Sequence, residues 1–301
     1  MNIRDGLPRR LRTVLEQRYG AAAQVLRSLL PVPVDAVVVS GSGMSSLLHD
    51  VAEPILSYDR LPGFPQPTVA GHTGIVRHAV VEGISVLFFA GRSHMYEGVS
   101  PEDIVAPVAV GSLLGTRTVL LLNSAGGLHP GCRTGDIMVI ADTINMTFRS
   151  VRRGWFYGTP LSYRHPPTFF DEDLRRSAGI ELVRQGIAYR EGTYIGVAGP
   201  SYETPAEVRF FRRLGAHVIG MSTVHEAEFA HVCGMKVAGC SLISNTLQEV
   251  AAPQLVHEEV LAAARAGCAA IEAWIRSCCL ALRRGHGPSA ITPGQTGDSV
   301  L

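Results

Sequence analysis

The stretch VVVSGSGMSSLLHD, residues 37–50, joins an apolar run to a turn of small residues, and it is the clearest indication of the fold in the sequence. Three consecutive valines are followed at once by Ser40, Gly41, Ser42 and Gly43. A continuous apolar run is typical of a strand covered on both faces, and the small residues predict a tight turn with a helix after it. Such a turn brings backbone N–H groups and a hydroxyl close to an anion such as phosphate. The alternative interpretation is a strand-to-helix turn that binds nothing.

This turn does not match the common nucleotide-binding fingerprints. The dinucleotide pattern G-x-G-x-x-G requires glycine where the chain has Ser46. The P-loop of ATP-binding proteins requires a lysine, and none follows here. The turn alone therefore leaves open which phosphate it would hold.

Outward from this turn, short apolar runs alternate with helical patterns. We predict buried strands at 35–40, 84–91, 118–124, 136–142, 193–199, 217–222 and 236–244. Helices are predicted at 102–115, 171–185, 204–215, 222–234 and about 254–283. This alternation predicts one α/β domain, residues 1–284, with a central mixed, mostly parallel β-sheet flanked by helices. Residues 285–301 are expected to be a disordered tail.

The composition restricts the classes of partner. The 301 residues are 46% hydrophobic and 18% charged, with a net charge of +1. Binding to nucleic acid or to a membrane surface calls for a concentrated basic face, so neither partner is expected. The N-terminus lacks an apolar signal core, and we expect a cytoplasmic protein. The six cysteines have no C-x-x-C spacing and are expected to be reduced.

The segment GRSHMYEG, residues 91–98, directly follows a predicted strand. Alternate residues of an extended segment face the same way, so Arg92, His94 and Tyr96 could point into one crevice. Arginine offers phosphate a bidentate charged fork. The alternative interpretation is a solvated loop with a salt bridge from Arg92 to Glu97.

Polar and small residues also follow the other predicted strands. The segment NSAGG (123–127) suits contact between backbone amides and an anion. Tyr202 and Glu203 precede a capped helix and could stack on, and hydrogen-bond to, a flat ring. Ser222 and Asn245 end two further strands. Ligands of α/β sheets bind at the carboxyl ends of the strands, so these residues predict one shared site.

Metal and nucleophile motifs are not found. His225 and His231 are six residues apart, which places them on different sides of a helix, unlike the zinc pair of H-E-x-x-H. The nucleophile elbow G-x-S-x-G is absent from the sequence. We expect no metal and no cofactor.

Together and in order, these motifs closely resemble the trimeric, low-molecular-mass class of purine nucleoside phosphorylases. The resemblance runs from about residue 35 to about residue 280. It rests on SGSG (40–43), VAGHTG (69–74), GRSHMYEG (91–98), NSAGGL (123–128), DIMVIADTIN (136–145), EGTYIGVAGPSYET (191–204), GAHVIGMST (215–223), SLISNT (241–246) and HEEVLAA (257–263).

The resemblance implies a role for each matching position. The expected ligands of inorganic phosphate are Ser42, His72, Arg92, His94, Ser124 and Ser222. The expected ribose contacts are Tyr96, Met221 and His257. The expected purine contacts are Ser124, Tyr202, Glu203 and Asn245. The expected catalytic residues are Glu203, Asn245 and His94.

The implied reaction is reversible phosphorolysis of inosine, guanosine and their deoxy counterparts to free base and (deoxy)ribose 1-phosphate. Orthophosphate is then a co-substrate, which answers the question that the first turn raises. Glu203 would accept N1–H of a 6-oxopurine, and Asn245 would bridge O6 and N7. The alternatives are a methylthioadenosine or adenosine phosphorylase, a hydrolase, and a nucleoside-binding protein without turnover.

The chain departs from the family pattern in several places. Ser124 replaces the usual Ala, Tyr202 often corresponds to Phe, and His225 replaces a residue that is typically Pro. The connection 146–170 does not match the family either, although in relatives it sends a phenylalanine into the neighbouring subunit of the trimer. The candidates for that contact are Trp155, Phe156 and Tyr157. We expect a homotrimer.

Overall fold

Nine strands form one sheet in the part of the chain that the computed structural model describes. The described residues are 9–44, 46–69, 71–151, 168–249, 262 and 267–286. The strands are β1 (Ala36–Val39), β2 (Ala52–Ser57), β3 (Ile75–Val81), β4 (Ile84–Ala90), β5 (Thr118–Gly127), β6 (Ile137–Asn145), β7 (Arg190–Gly196), β8 (Val218–Gly220) and β9 (Lys236–Thr246).

Helices cover both faces of this sheet. They are α1 (Arg9–Leu29), α2 (Pro101–Ile104), α3 (Ala106–Leu113), α4 (Glu172–Arg184), α5 (Pro205–Arg213), α6 (Val224–Val232) and α7 (Cys268–His286). Two short 3₁₀ turns occur at Tyr58–Arg60 and Met95–Glu97. Within the described ranges, no helix has the length and apolar character that crossing a bilayer requires.

The sheet is mixed, as predicted, and half of it closes on itself. The strand order is β2-β3-β4-β1-β5-β8-β7-β6-β9, and β9 also pairs with β5, so β5, β8, β7, β6 and β9 form a ring. Parallel pairings join β1 to β4 and β5, β5 to β9, β6 to β7, and β7 to β8. The other four pairings are antiparallel. Parallel pairings are therefore a narrow majority.

The continuous apolar runs are explained by burial on both faces of the sheet. In β1, Val37 and Val39 pack on the side of α1, α3 and α6. Ala36 and Val38 of the same strand pack on the side of α4 and α7. Because successive side chains of a strand point to opposite faces, a doubly covered strand needs apolar residues at every position.

The structure corrects one sequence prediction in the N-terminal part of the chain and contains elements there that were not predicted. Residues 46–51 form turns, where a helix was expected after the 40–43 turn. The hairpin of β2 and β3 and the long helix α1 were not predicted. β2 contains a proline and two exposed positions, and β3 contains Arg77 and His78, so neither gives a continuous apolar signal.

Two predicted helices also differ from the structure. The predicted helix 102–115 is two shorter helices, α2 and α3, which meet at Val105. Helix α7 continues to His286, two residues beyond the predicted domain end at 284. The first half of the predicted helix 254–283 lies mostly outside the described residues, and so do residues 287–301 of the predicted tail. All six cysteines are free thiols.

Candidate active site

A cavity of about 300 Å³ opens at the ends of β5, β8 and β9. Nine of the twelve site residues predicted from the sequence line it: Ser42, His94, Tyr96, Ser124, Tyr202, Glu203, Met221, Ser222 and Asn245. They come from six separate segments of the chain, which the closed ring and its neighbours bring together. Arg92 and His72 do not line the cavity, but each contacts a serine that does. His257 is outside the described residues.

Arg92 is buried behind Ser222 and held by several partners. Its side chain is 0% exposed, and its Nε lies 3.2 Å from Glu226 Oε1. Its Nη1 donates to Ser222 Oγ (2.9 Å), and its Nη2 donates to the carbonyl oxygen of Val39 (2.8 Å). The suggested salt bridge from Arg92 to Glu97 is therefore wrong. Arg92 reaches the cavity wall through the hydroxyl of Ser222.

The backbone at Thr223 is held in an unusual conformation beside Ser222. Thr223 has φ 71° and ψ −44°, outside the regions open to a β-branched residue, which costs about 1–3 kcal/mol. Its N–H donates to Glu226 Oε2 (2.8 Å), and Asn123 Nδ2 donates to its Oγ1 (2.9 Å). These bonds hold Ser222 at the N-terminus of α6, where the helix dipole favours an anion.

His72 lies over the serine of the first turn. Its Nδ1 accepts the backbone N–H of Arg92 at 2.9 Å, and its Nε2 lies 2.7 Å from Ser42 Oγ. Because Nδ1 is an acceptor, the neutral ring carries its proton on Nε2 and donates it to Ser42. Gly91 allows this approach, since a Cβ there would lie 2.9 Å from His72 Cβ.

His94 is oriented by Glu97. Its Nδ1 lies 2.9 Å from Glu97 Oε1, which leaves Nε2 available to a ligand. The other carboxylate oxygen accepts from the N–H (2.5 Å) and Oγ1 (2.6 Å) of Thr68. Burial raises the pKa of Glu97, but the hydrogen bonds from His94 and Thr68 outweigh it and lower the pKa to about 2. The ring of His94 stacks on Tyr96 with centroids 4.9 Å apart.

The hydroxyl of Ser124, a departure from the family pattern, supports the first turn. Its Oγ donates to the carbonyl oxygen of Ser42 at 3.0 Å. Ser124 and Ser42 both line the cavity. The added hydroxyl therefore fixes the turn that carries Ser42.

The cavity wall also presents an aromatic ring, a carboxyl group and an amide. Tyr202 is 43% exposed, while Glu203 and Asn245 are half-buried. Burial raises the pKa of Glu203, and Glu207 adds to the rise, although the backbone N–H of Glu203 itself lowers it. Asn245 Oδ1 accepts from Ser244 Oγ at 2.9 Å, so its Nδ2 is the donor left for a ligand.

Several residues of the site escaped sequence analysis. Asn123 and Ser244 line the cavity. Asn123 is 2% exposed, and its Oδ1 has no hydrogen-bond partner among the described residues. Glu97 and Glu226 orient His94 and Arg92. Nothing in the sequence indicates that Glu226 faces an arginine 134 positions earlier.

His225, another departure, supports a turn outside the cavity. It is 3% exposed, and its Nε2 lies 3.2 Å from Thr147 Oγ1. Burial lowers the pKa of His225, while the backbone of Arg149 and the charge of Glu102 oppose that shift. Trp155, Phe156 and Tyr157, the predicted contacts with a neighbouring subunit, lie outside the described residues. Among the described residues, no three His, Cys, Asp or Glu side chains are grouped as metal ligands.

This fold and cavity have clear counterparts among known proteins. The chain belongs to the phosphorylase superfamily, whose family model matches residues 35–278. It is 37% identical to purine nucleoside phosphorylase 1 of Bacillus subtilis over 259 residues, which cover 82% of this chain and 92% of that protein. It is 36% identical to the purine nucleoside phosphorylase of Rattus norvegicus, over 85% of this chain and 92% of that one. Within the superfamily, it is thus a relative of the purine nucleoside phosphorylases by homology.

Solved structures agree with this placement. A Schistosoma purine nucleoside phosphorylase in complex with hypoxanthine has a TM-score of 0.77 and 28% identity, with 87% of this chain and 96% of that chain covered. The Schistosoma mansoni enzyme in complex with adenosine has a TM-score of 0.76 and 29% identity over the same shares. The predicted family and α/β fold are therefore confirmed.

Proposed function

We propose that the protein catalyses reversible phosphorolysis of 6-oxopurine ribonucleosides and deoxyribonucleosides, with inosine and guanosine as substrates. The products are the free base and (deoxy)ribose 1-phosphate. The proposal rests on homology to purine nucleoside phosphorylases for the reaction and on the cavity for the substrate. By the same homology we propose a cytoplasmic homotrimer.

One observation carries the proposal: anion donors and the pair Glu203 and Asn245 line the same cavity. Phosphate would bind against Ser42, His94 and Ser222, with Arg92 reinforcing Ser222 from behind. The nucleoside would lie between phosphate and the base-recognising pair. In that arrangement, a nucleophilic oxygen of phosphate would lie against the sugar carbon that carries the base.

The residue types suit the charges that develop during reaction. Cleavage of the glycosidic bond makes the ribose cationic and the purine anionic, and phosphate below the sugar stabilises the cation. Asn245 would donate to N7 and thereby stabilise the leaving base. An ionised Glu203 would accept N1–H, which hypoxanthine and guanine have and adenine lacks. No covalent intermediate with the protein is required.

The test is purine release by the purified protein. Hypoxanthine release from inosine is measured with and without orthophosphate, with adenosine and methylthioadenosine run in parallel. We expect release that requires phosphate and favours inosine. Glu203→Gln and Asn245→Ala should each lower kcat/KM for inosine by about 10- to 100-fold, because a buried hydrogen bond to the base is lost.

A matched control separates these effects from general damage. Glu172 is exposed on α4, where it forms an ion pair with Arg176 and does not line the cavity, so Glu172→Gln should leave kcat/KM unchanged. Preferred cleavage of adenosine or methylthioadenosine would contradict the assigned base specificity. Release without phosphate would identify a hydrolase, and nucleoside binding without release would identify a binding protein.

A further inference from the structure

The two proposed base-recognising residues, Glu203 and Asn245, belong to separate elements. Both can bind one base only if the distance between them is fixed. Glu203 directly precedes Thr204, the N-cap of α5, whose Oγ1 accepts from Glu207 N at 3.3 Å. Asn245 is the second-last residue of β9. α5 is not part of the sheet, so the pairing of the strands does not by itself fix Glu203 relative to Asn245.

One guanidinium group joins these elements. Arg212, in the last turn of α5, donates from Nε to the carbonyl oxygen of Leu128 (2.5 Å), just after β5. Its Nη2 donates to the carbonyl oxygen of Leu247 (2.8 Å), two residues after Asn245. Its Nη1 donates to Glu249 Oε1 (2.6 Å). The planar fork of arginine thus fixes α5 against the ends of both β5 and β9.

Two neighbouring contacts strengthen this connection. Arg209, one turn earlier on α5, donates from Nη1 to the carbonyl oxygen of Glu249 at 3.1 Å. The N–H of Leu247 donates to the carbonyl oxygen of Gly127 at 2.9 Å, which fixes the same segment to β5. The segment 247–249 is therefore bound from the helix side and from the strand side.

We propose that Arg212 is a positioning residue for purine recognition, which sets the separation of Glu203 and Asn245 without touching the substrate. This inference rests on the roles proposed above for those two residues. Hydrogen bonds to a base tolerate displacements of only a few tenths of an ångström, and a shift of 1 Å can cost about 100-fold in rate. Among the described residues, Arg212 makes no hydrogen bond or ion pair with Ser42, His94 or Ser222, so phosphate binding should not respond.

The adjacent arginine provides a matched control. Arg213 is exposed and makes no hydrogen bond or ion pair with the described residues. We would measure KM for inosine, KM for phosphate and the inhibition constant of hypoxanthine in Arg212→Met and Arg213→Met. In Arg212→Met the inosine KM and the hypoxanthine constant should rise about tenfold, and the phosphate KM should stay within about twofold. Arg213→Met should match the unaltered protein.

Two further variants make the test specific. Arg212→Lys should give an intermediate rise, because one ammonium group cannot satisfy three acceptors in the geometry of the fork. In an Asn245→Ala background, Arg212→Met should add less than about twofold, since the separation of Glu203 and Asn245 matters only while Asn245 can hold the base. If Arg212→Met does not fold, Arg212→Lys and Glu249→Gln replace it, and each should raise the hypoxanthine constant.

The results distinguish the inference from the function on which it rests. Equal rises in the KM values of inosine and phosphate would reduce Arg212 to a general structural role and overturn the inference. If Glu203→Gln and Asn245→Ala weaken hypoxanthine binding but Arg212→Met leaves the inhibition constant of hypoxanthine unchanged, the inference is overturned too. If those two variants bind hypoxanthine normally, the base-recognition roles themselves are refuted.

Discussion

The ion pair of Arg92 and Glu226 gives a prediction about stability. Both side chains are 0% exposed, and Nε lies 3.2 Å from Oε1. At an effective dielectric constant of about 20, the attraction at this distance is about 5 kcal/mol, which the lost hydration of both ions offsets. Glu226→Ala removes the attraction and leaves Arg92 buried. We therefore expect the free energy of unfolding to fall by about 3–5 kcal/mol.

The assay is urea unfolding at constant protein concentration, followed by tryptophan fluorescence, to which the fully buried Trp274 contributes. Glu172→Ala, which breaks an exposed pair on α4, is the control and should cost less than about 1 kcal/mol. A double variant, Arg92→Met with Glu226→Leu, removes both charges and should recover most of the stability lost in Glu226→Ala. If Glu226→Ala lowers the free energy of unfolding by less than about 1 kcal/mol, the reasoning is refuted. A double variant that is as unstable as Glu226→Ala would refute it as well.

Three further predictions concern the cavity. Hydrogen bonding lowers the pKa of Glu97 to about 2. The ionised carboxylate therefore stabilises the fold above its ordinary pKa of 4.5, and this stabilisation is lost as the pH falls towards 2. Glu97→Gln should make the urea midpoint depend less on pH in this range. A Cβ at Gly199 would collide with Met221 Sδ, so Gly199→Ala should raise the inosine KM. Gly215 also has a positive φ but lies in open space, so Gly215→Ala should only lower the stability, by about 1–2 kcal/mol. Burial raises the pKa of Glu203, so its ionisation destabilises the ligand-free protein as the pH rises through that pKa. Glu203→Gln should therefore increase the melting temperature at neutral pH, although it weakens base binding.

Each of these predictions has a result that contradicts it. A pH curve for Glu97→Gln that falls as steeply as that of the unaltered protein would mean that the hydrogen bonds of Glu97 do not stabilise the folded state. Equal inosine KM values in the two glycine variants would mean that Met221 moves aside freely. A lower melting temperature for Glu203→Gln would mean that ionised Glu203 has a stabilising partner.

The central sheet was predictable because its strands are buried on both faces. All seven predicted strands are present, and β1, with four buried residues in succession, is the clearest case. The missed strands β2 and β3 have exposed positions, so their pattern resembles that of a loop. Closure of the ring could not be predicted, because the pairing of β5 with β9 joins segments more than 100 residues apart.

The candidate site was partly predictable for a related reason. Several site residues directly follow predicted strands, and others, such as Met221, were identified from the family resemblance; nine of the predicted residues line the cavity. Their supporting partners are recognisable only in three dimensions. In sequence, Glu226 and Arg212 look like ordinary helix residues, and their contacts with Arg92 and with the β9 segment depend on how the helices pack.

The closed ring of five strands also has a consequence for how the molecule opens. Each strand of the ring has hydrogen-bonded neighbours on both sides, whereas β2 stands at the end of the strand order. Amide protons of β5 and β9 can therefore exchange with solvent deuterium only when the ring breaks, while the β2–β3 hairpin can detach alone. The protein should show two classes of protected amides, and those next to Ser124 and Asn245 should belong to the slower one. The floor of the cavity would then persist through local opening events elsewhere in the sheet.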